Sequence, residues 1–238
     1  MATLKDMLGC EPHEVPGRRP PEPHVRIAPQ CLSAAGLRQL FTCPPVWEVE
    51  IRRERRWGAA AAPRAAAVLV PIVMRPEPTI LLTQRTAHLP THAGQIAFPG
   101  GKIDPHEVDA AAAALREAEE EVALSREWVE VIGTMPSYHT GSGFDITPVV
   151  ALVQPNAQWQ ANPNEVAQVF EVPLAFVMDA GNHWQHEAQV LGETLQWWSM
   201  PYAEQGQTHY IWGATAAMLR NFYRMMVAAQ PAKEGVLP

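Results

Sequence analysis

Runs of apolar residues along the chain predict a succession of strands that starts near residue 65. Residues 66–74 are rich in Val and Ile and predict a strand that is buried on both faces. A turn at Glu77 and Pro78 separates this run from residues 80–83, which predict the next strand. Further strands are predicted over residues 96–98, 129–135, 146–153 and 190–198.

Helical patterns lie between and around these strands. Residues 109–122, with five consecutive alanines and a Glu-rich end, predict the clearest helix because they are strong helix formers. Ser33 predicts the N-cap of a short helix that ends before Pro44. Residues 173–178 and 212–229 predict a short helix and a long amphipathic one. The interleaving favours an α/β fold, an α/β/α sandwich with a mixed β-sheet flanked by helices.

Length and composition fit one globular domain with an extension. The 238 residues are 47% hydrophobic and 18% charged, which suffices for one sizeable core. Residues 1–60 are expected to be a Pro-rich extension that contains the short helix, and residues 61–238 to form the domain. Cys10, Cys31 and Cys43 lack the paired spacing of a disulfide framework or a zinc site.

The charge balance argues against nucleic acid as a partner. With 25 acidic and 18 basic side chains the net charge is −7, whereas duplex nucleic acid is bound through clustered Lys and Arg. The one basic run is typical of a solvated face. No apolar stretch reaches the length of a membrane span and no signal peptide is evident, so a cytoplasmic protein without a membrane partner is expected. The basic run consists of Arg52, Arg53, Arg55 and Arg56.

The predicted helix over residues 109–122 carries an acidic cluster. Glu117, Glu120 and Glu121 have i, i+3 and i+4 spacing, so their side chains are neighbours. A solvated acidic face is one interpretation, because like charges at this spacing cost only about 0.2–0.5 kcal/mol per pair. A bound divalent cation is the other, because the helix C-terminus disfavours negative charge. The apolar stripe expected to face the core is Ala111, Leu115, Ala118 and Val122.

The segment from Gly101 to Leu124 resembles the Nudix box, in which a glycine precedes an Arg-Glu-aliphatic-x-Glu-Glu run. In this chain the run begins at Arg116, and the glycines before the helix allow a ligand to approach the backbone closely. The resemblance implies that a Mg²⁺ or Mn²⁺ ion is bound and that Arg116 orients its ligands. The implied ligands are Glu117, Glu120, Glu121 and the Gly101 carbonyl.

Two features depart from the Nudix box. Arg116 follows Glu107 by nine residues rather than eight, so the stretch carries one extra residue. Ala123 stands at the position of the last glycine of the box, and a left-handed Ala would cost about 1–2 kcal/mol. The helix is therefore expected to end in a different geometry.

Residues 81–85 and 94–101 resemble the signature of the coenzyme A pyrophosphatase branch of this family. Shorter matches at residues 164–174 and 211–215 extend the resemblance over about residues 65–229. Thr86 and Pro90 depart from that signature, which has Ser or Ala and Arg at these positions. Pro90 lacks the fork with which Arg binds phosphate, so a different substrate stays an alternative.

The resemblance implies hydrolysis of a pyrophosphate bond in a small nucleotide derivative. With coenzyme A or an acyl-CoA the products would be 3′,5′-ADP and 4′-phosphopantetheine or its acyl form. The alternatives are ADP-ribose, a dinucleotide or a noncanonical nucleoside triphosphate as substrate, or a Nudix-fold binding module without catalysis. Glu120, Glu121 or Glu165 would activate a metal-bound water, although Glu165 is favoured as an exposed loop carboxylate or a cap. The expected substrate-binding residues are Arg85, Gly100, Gly101 and Lys102.

Three further groups of residues have ordinary structural interpretations. His88 and His92 have the i, i+4 spacing of a metal pair, but Pro90 between them disfavours a helix and favours a loop. Residues 137–144 form a Gly-containing loop that would suit a substrate rim or an ordinary turn. Candidates for a homodimer interface, for which core packing is favoured, are Trp197, Trp198, Phe222, Tyr223, Met225 and Met226.

Overall fold

The central strand of the larger sheet is apolar on both faces. In the computed structural model, which describes residues 8–21, 25–54, 62–89 and 92–230, β2 (Arg64–Val73) has eight consecutive buried residues. It pairs in parallel with β8 (Phe144–Val153) and antiparallel with β3 (Thr79–Arg85), so the sheet is mixed. The other strands of this sheet are β4 (Ile96–Ala97), β5 (Gly100–Lys102), β6 (Val129–Thr134), β7 (Tyr138–His139) and β9 (Val166–Pro173).

Successive residues of β2 pack into two different hydrophobic layers, as the strand period of two requires. Ala67 and Leu69 pack with the helix α2 (Ala110–Val122). Val70 and Ile72 pack on the opposite face of the sheet. The helices of that second layer are α1 (Ala34–Thr42), α3 (Leu174–Val177) and α4 (Gly213–Ala228). The expected mixed sheet between helices is therefore confirmed.

The apolar stripe predicted for α2 is correct in its second half and incomplete in its first. Ala118 and Val122 are buried, whereas Leu115 is only partly buried at the margin of the same cluster. Ala113 and Ala114 are fully buried instead. Small side chains at these positions let the helix lie close to the sheet.

The end of α2 differs from the expectation for it. Ala123 adopts the left-handed conformation, with φ 52° and ψ 27°, and its N–H donates to the Glu119 carbonyl. The prediction that Ala would force another exit is wrong. Leu124 is buried and its N–H donates to the Ala118 carbonyl at 3.3 Å, so burial of the following residue holds the strained exit in place.

Substituting Ala123 with Gly is expected to raise the free energy of unfolding by about 0.5–1 kcal/mol, because relief of left-handed strain exceeds the added entropy of the unfolded chain. Urea denaturation measures the change. The control is Ala112→Gly in the first turn of α2, which is expected to lower the free energy of unfolding by at most about 1 kcal/mol. Equal losses in both variants would contradict a strained exit at Ala123.

A second, four-stranded sheet covers part of the larger one and was not predicted. The single strand expected over residues 190–198 is wrong, because a turn at Leu191 and Gly192 divides it into a hairpin. Both turn residues have positive φ, 53° and 81°, which is the geometry of a two-residue hairpin turn. The strands of this antiparallel sheet are β1 (Gly17–Arg18), β10 (Trp184–Val190), β11 (Glu193–Glu204) and β12 (Gln207–Trp212).

The N-terminal segment packs on the rest of the chain through both sheets and helices. Ser33 caps α1 as predicted, because its hydroxyl accepts the Gly36 N–H at 3.2 Å. Leu37 and Leu40 of that helix lie in the core. Arg55 and Arg56 of the basic run lie outside the described residues. No helix in the described ranges combines the length and hydropathy that a bilayer span requires.

The aromatic and Met residues considered for a homodimer interface are buried within the described fold. They are Trp197, Trp198, Phe222, Tyr223, Met225 and Met226. Core packing is confirmed for all of them.

Candidate active site

The glycines of β5 let the strand lie directly against α2. A Cβ atom on Gly101 would fall within the carboxylate of Glu117, and one on Gly100 would overlap the backbone of β2 at Ala67 and Val68. A side chain at position 101 would push β5 away from the helix, and one at position 100 would push β5 away from β2. In the pairing of β2 with β5, Gly101 lies opposite Ala67 and Gly100 opposite Val68. The backbone of these two glycines therefore lies next to the glutamates of α2.

Glu121 is the most deeply buried carboxylate of the helix, at 3% exposure. Its Oε2 accepts the Gly100 N–H at 3.2 Å, and its Oε1 lies 3.6 Å from Nη1 of Arg85. Burial raises the pKa of Glu121 to about 7, although the Gly100 N–H and Arg85 oppose the shift. The charges of Glu117 and Glu165 reinforce it. Because burial disfavours the ionised form of this carboxylate, a nearby cation would stabilise that form considerably.

Arg116 connects the carboxylates of this helix to one another. Its Nη1 donates to Glu120 Oε2 at 2.9 Å and lies 3.0 Å from Glu117 Oε1. Its Nη2 donates to the Lys102 carbonyl at 3.2 Å. The pKa of Glu117 is nevertheless raised, because burial outweighs the attraction of Arg116. The predicted orienting residue thus contacts two of the three glutamates.

Glu107 is a member of this network that was not among the predicted site residues. Its side chain is 6% exposed and accepts from Arg116 Nε at 2.9 Å. Its second oxygen accepts the Asp104 N–H at 2.7 Å, which closes the turn just before the stretch with the extra residue. The hydrogen bond from Arg116 lowers the pKa of Glu107. The sequence signal was its match to the first glutamate of the Nudix box.

The loop before β9 brings Glu165 towards the same carboxylates. Asn162 donates its backbone N–H to the Glu121 carbonyl at 2.8 Å, and the Glu165 carbonyl accepts the Thr86 N–H at 2.9 Å. The charge of Glu165 raises the pKa values of both Glu117 and Glu121, so the three groups share one electrostatic environment. Arg85, at the end of β3, pairs with Val166 beside this loop and contacts Glu121 from there.

Comparison with known proteins identifies the family of the chain. The NUDIX domain model matches residues 63–193, more than half of the chain. The chain belongs to the Nudix family. Proteins called uncharacterized Nudix hydrolase NudL from Salmonella paratyphi B and Salmonella newport are each 46% identical over 158 residues, which cover 66% of this chain and 80% of theirs.

Solved Nudix structures resemble the chain at lower identity. RenU, a Nudix hydrolase from M. smegmatis, is 19% identical with a TM-score of 0.49, covering 76% of this chain and 96% of its own. The NUDIX domain of Shewanella oneidensis NrtR, solved with ADP ribose, is 22% identical with a TM-score of 0.39, covering 50% of this chain and 78% of its own. Nudix hydrolases are pyrophosphohydrolases that act on phosphoanhydride bonds, generally with divalent metal ions.

The donor atoms of this Nudix helix fit a hard divalent cation. Among the described residues no three acidic, His or Cys side chains already form a closed metal cage. Mg²⁺ does not require one, because it is held by one or two carboxylates together with water and substrate phosphates. Glu117 and Glu121 are neighbouring carboxylates that are partly or fully buried, and the backbone of Gly101 lies beside Glu117. Such oxygens are stabilised by a cation.

The two histidines near the signature loop lie apart from the Nudix helix contacts. His88 Nε2 lies 3.1 Å from the Asn164 carbonyl, and His92 Nδ1 lies 2.9 Å from Gln95 Oε1. His92 has a positive φ of 57°, so the predicted loop is confirmed and a helical pair is absent from these described positions. Pro90 lies outside the described residues.

Proposed function

We propose that this Nudix hydrolase cleaves the diphosphate of coenzyme A or an acyl-CoA, releasing 3′,5′-ADP and 4′-phosphopantetheine or its acyl form. One observation carries the proposal. The two segments that resemble the coenzyme A branch meet at a single carboxylate, because Arg85 comes from the first, Gly100 from the second, and both contact Glu121. Two segments that are separate in the sequence, residues 81–85 and 94–101, thus contact the same glutamate of the Nudix helix.

The roles proposed for the site residues follow from their contacts. Glu117, Glu120, Glu121 and the Gly101 carbonyl would hold Mg²⁺ or Mn²⁺. When bound, such an ion neutralises phosphate charge and lowers the pKa of a water. Arg116 orients Glu117 and Glu120 through its Nη1. Arg85 and Lys102 would supply positive charge to the diphosphate, and the Gly100–Gly101 backbone would lie alongside it.

A proton acceptor for the attacking water is available in three places. Glu121 is half protonated near neutral pH in the absence of metal, since burial raises its pKa to about 7. Glu120 is exposed on the helix, and Glu165 stands on the loop before β9. We propose one of these three as the base. Phosphoryl transfer assisted by metal ions relies more on positioning and charge than on a strong base.

A second substrate class is favoured by one departure. Pro90 replaces the Arg of the coenzyme A signature, so one source of phosphate recognition is missing. ADP-ribose, a dinucleotide or a noncanonical nucleoside triphosphate would then be the substrate of the same site. The contact of Thr86 with Glu165 uses only the backbone N–H of Thr86, so this second departure leaves the loop geometry intact.

The test is a turnover assay of purified protein with coenzyme A and ADP-ribose, each with Mg²⁺ or Mn²⁺. Release of 3′,5′-ADP is expected with coenzyme A, and Glu120→Gln is expected to reduce it at least about tenfold. The exposed Glu119, which faces Arg126 at 3.5 Å, provides Glu119→Gln as the matched control with unchanged turnover. Cleavage of ADP-ribose alone would reject coenzyme A and retain the metal-dependent hydrolase.

A further inference from the structure

The carbonyl groups at the end of the Nudix helix accept hydrogen bonds from the loop before β9. The last four carbonyls of an α-helix have no partner within the helix. The Asn162 N–H donates to the Glu121 carbonyl at 2.8 Å, and the Gln160 N–H donates to the Val122 carbonyl at 2.8 Å. The Asn162 side chain supplies a third donor, because its Nδ2 donates to the Glu120 carbonyl at 3.4 Å. This loop therefore caps the helix that carries the glutamates.

The other end of the same side-chain amide begins the turn that leads to Glu165. Asn162 Oδ1 accepts the Asn164 N–H at 3.1 Å. Asn favours such turns because its side chain can take the place of a backbone acceptor. The Asn162 carbonyl accepts the N–H groups of Glu165 at 3.0 Å and of Val166 at 2.8 Å. One residue thus bonds both to the end of the Nudix helix and to the backbone of Glu165.

The segment that follows β3 holds the backbone of Glu165 as well. The Thr86 N–H donates to the Glu165 carbonyl at 2.9 Å. His88 Nε2 lies 3.1 Å from the carbonyl of Asn164, the residue before Glu165. With its N–H bonded to Asn162 and its carbonyl to Thr86, Glu165 has an ordered backbone although it lies in a loop. A carboxylate that binds a ligand benefits from such order, because less entropy is lost on binding.

The side chain of Glu165 has no such restraint. It is exposed, and no Lys, Arg or His nitrogen of the described residues lies within 4.0 Å of its carboxylate. Its negative charge nevertheless acts on the Nudix helix, where it helps to raise the pKa values of Glu117 and Glu121. An ordered carboxylate of this kind, close to two others, is suited to contact with a bound cation or an attacking water.

We propose that Asn162 is a positioning residue, which keeps Glu165 in register with Glu117 and Glu121. Its side-chain amide connects the two elements, because Nδ2 bonds the Nudix helix and Oδ1 bonds the turn before Glu165. The inference rests on the proposed function, in which Glu165 is one of the candidate acceptors for the proton of the attacking water. A residue that only capped the helix would contribute to stability and would act independently of Glu165.

A double-mutant cycle with Asn162→Ala and Glu165→Gln tests this dependence. Turnover is measured with coenzyme A, or with ADP-ribose if only that is cleaved. Each single variant is expected to lower kcat about tenfold and to change KM less than about twofold, because a misplaced or missing reacting group affects the transition state. The double variant is expected to lose less than about twofold more than Glu165→Gln alone.

Two further variants control for a loss of folding stability. Asn162→Ser keeps a hydroxyl that can accept the Asn164 N–H, so its kcat is expected to lie between those of Asn162→Ala and the unmodified protein. Asn156→Ala removes an amide side chain from an exposed position between β8 and β9, and its kcat is expected to be unchanged. Losses that multiply in the double variant, or unchanged turnover in Glu165→Gln, would overturn the positioning role.

Manganese binding separates failure of this inference from failure of the proposed function. Titration with Mn²⁺, followed by electron paramagnetic resonance, is expected to show binding about three- to tenfold weaker in both single variants. Binding in the double variant is expected to be no weaker than in Glu165→Gln. That pattern in a protein that cleaves neither coenzyme A nor ADP-ribose would reject these substrates and keep the positioning role. Where turnover is absent, equal Mn²⁺ affinity in Asn162→Ala and the unmodified protein would overturn it.

Discussion

Replacing Glu121 with Gln is expected to reduce kcat/KM for the pyrophosphate substrate about 10²–10³-fold without destabilising the protein. The loss follows because a proposed metal ligand is worth several kcal/mol of transition-state stabilisation. The fold is spared because a Gln carbonyl can still accept the Gly100 N–H that Glu121 accepts at 3.2 Å. Activity and stability are therefore expected to change in different directions.

The pKa of Glu121 determines whether Glu121→Gln raises or lowers the stability of the protein at a given pH. Burial raises the pKa of Glu121 to about 7 in the folded protein, whereas an unfolded Glu titrates near 4.3. Ionising Glu121 in the folded state therefore lowers the free energy of unfolding. This loss is absent below the unfolded pKa, grows as the pH rises from there to about 7, and is complete at higher pH. In metal-free protein at pH 8, Glu121→Gln is expected to raise Tm by about 2–4 °C, and at pH 4 to leave it unchanged.

Calorimetric melting curves at the two pH values, together with turnover at saturating Mn²⁺, measure both effects. Added metal is expected to raise the Tm of the unmodified protein more than that of the variant, because only the former has the full ligand set. A variant that melts earlier at pH 8 and is equally inactive would mean that Glu121 has a structural role alone.

The grouping of the candidate site residues could be inferred from the sequence because most of them are local. Glu117, Glu120 and Glu121 fall within five residues of one helix, and helical geometry alone makes them neighbours. Gly100 and Gly101 come from the strand just before that helix, where a side chain would prevent the close approach. The spacing therefore determines most of the geometry.

The different burial of these glutamates could not be inferred from spacing. Glu120 is exposed and Glu121 buried, although they are adjacent, because the sheet, the Gly100 backbone and Arg85 surround only one of them. Those neighbours come from separate strands whose arrangement the sequence pattern does not give. The partner of Glu107 depends likewise on how the loop with the extra residue folds.

The second sheet escaped prediction for a conformational reason. The turns that join β10 to β11 and β11 to β12 place Leu191 and Gln205 at positive φ, 53° and 49°. These residues rarely adopt that conformation, and sequence rules look for Asn or Asp before Gly at such turns. The expectation for Ala123 was wrong for a related reason, because burial of Leu124 outweighs the preference of Ala for negative φ.

Substituting Arg116 with Lys is expected to lower the free energy of unfolding by about 2–3 kcal/mol and to reduce kcat at least about tenfold. The stability loss arises because the nearly buried Glu107 loses the hydrogen bond that Arg116 Nε donates to it at 2.9 Å. The ammonium group of Lys cannot contact all of the acceptors that the planar guanidinium reaches. The activity loss arises because Glu117 and Glu120 lose their common partner.

A double-mutant cycle with Glu107→Gln separates the two functions of Arg116. Removing the charge of Glu107 is expected to restore most of the stability of Arg116→Lys, because the buried carboxylate no longer lacks its partner. It is not expected to restore kcat, because Glu117 and Glu120 still lack the guanidinium that holds them in register with the Lys102 carbonyl. Recovery of both quantities in the double variant would show that Arg116 acts through Glu107 alone, and that orientation of the other two glutamates does not limit turnover.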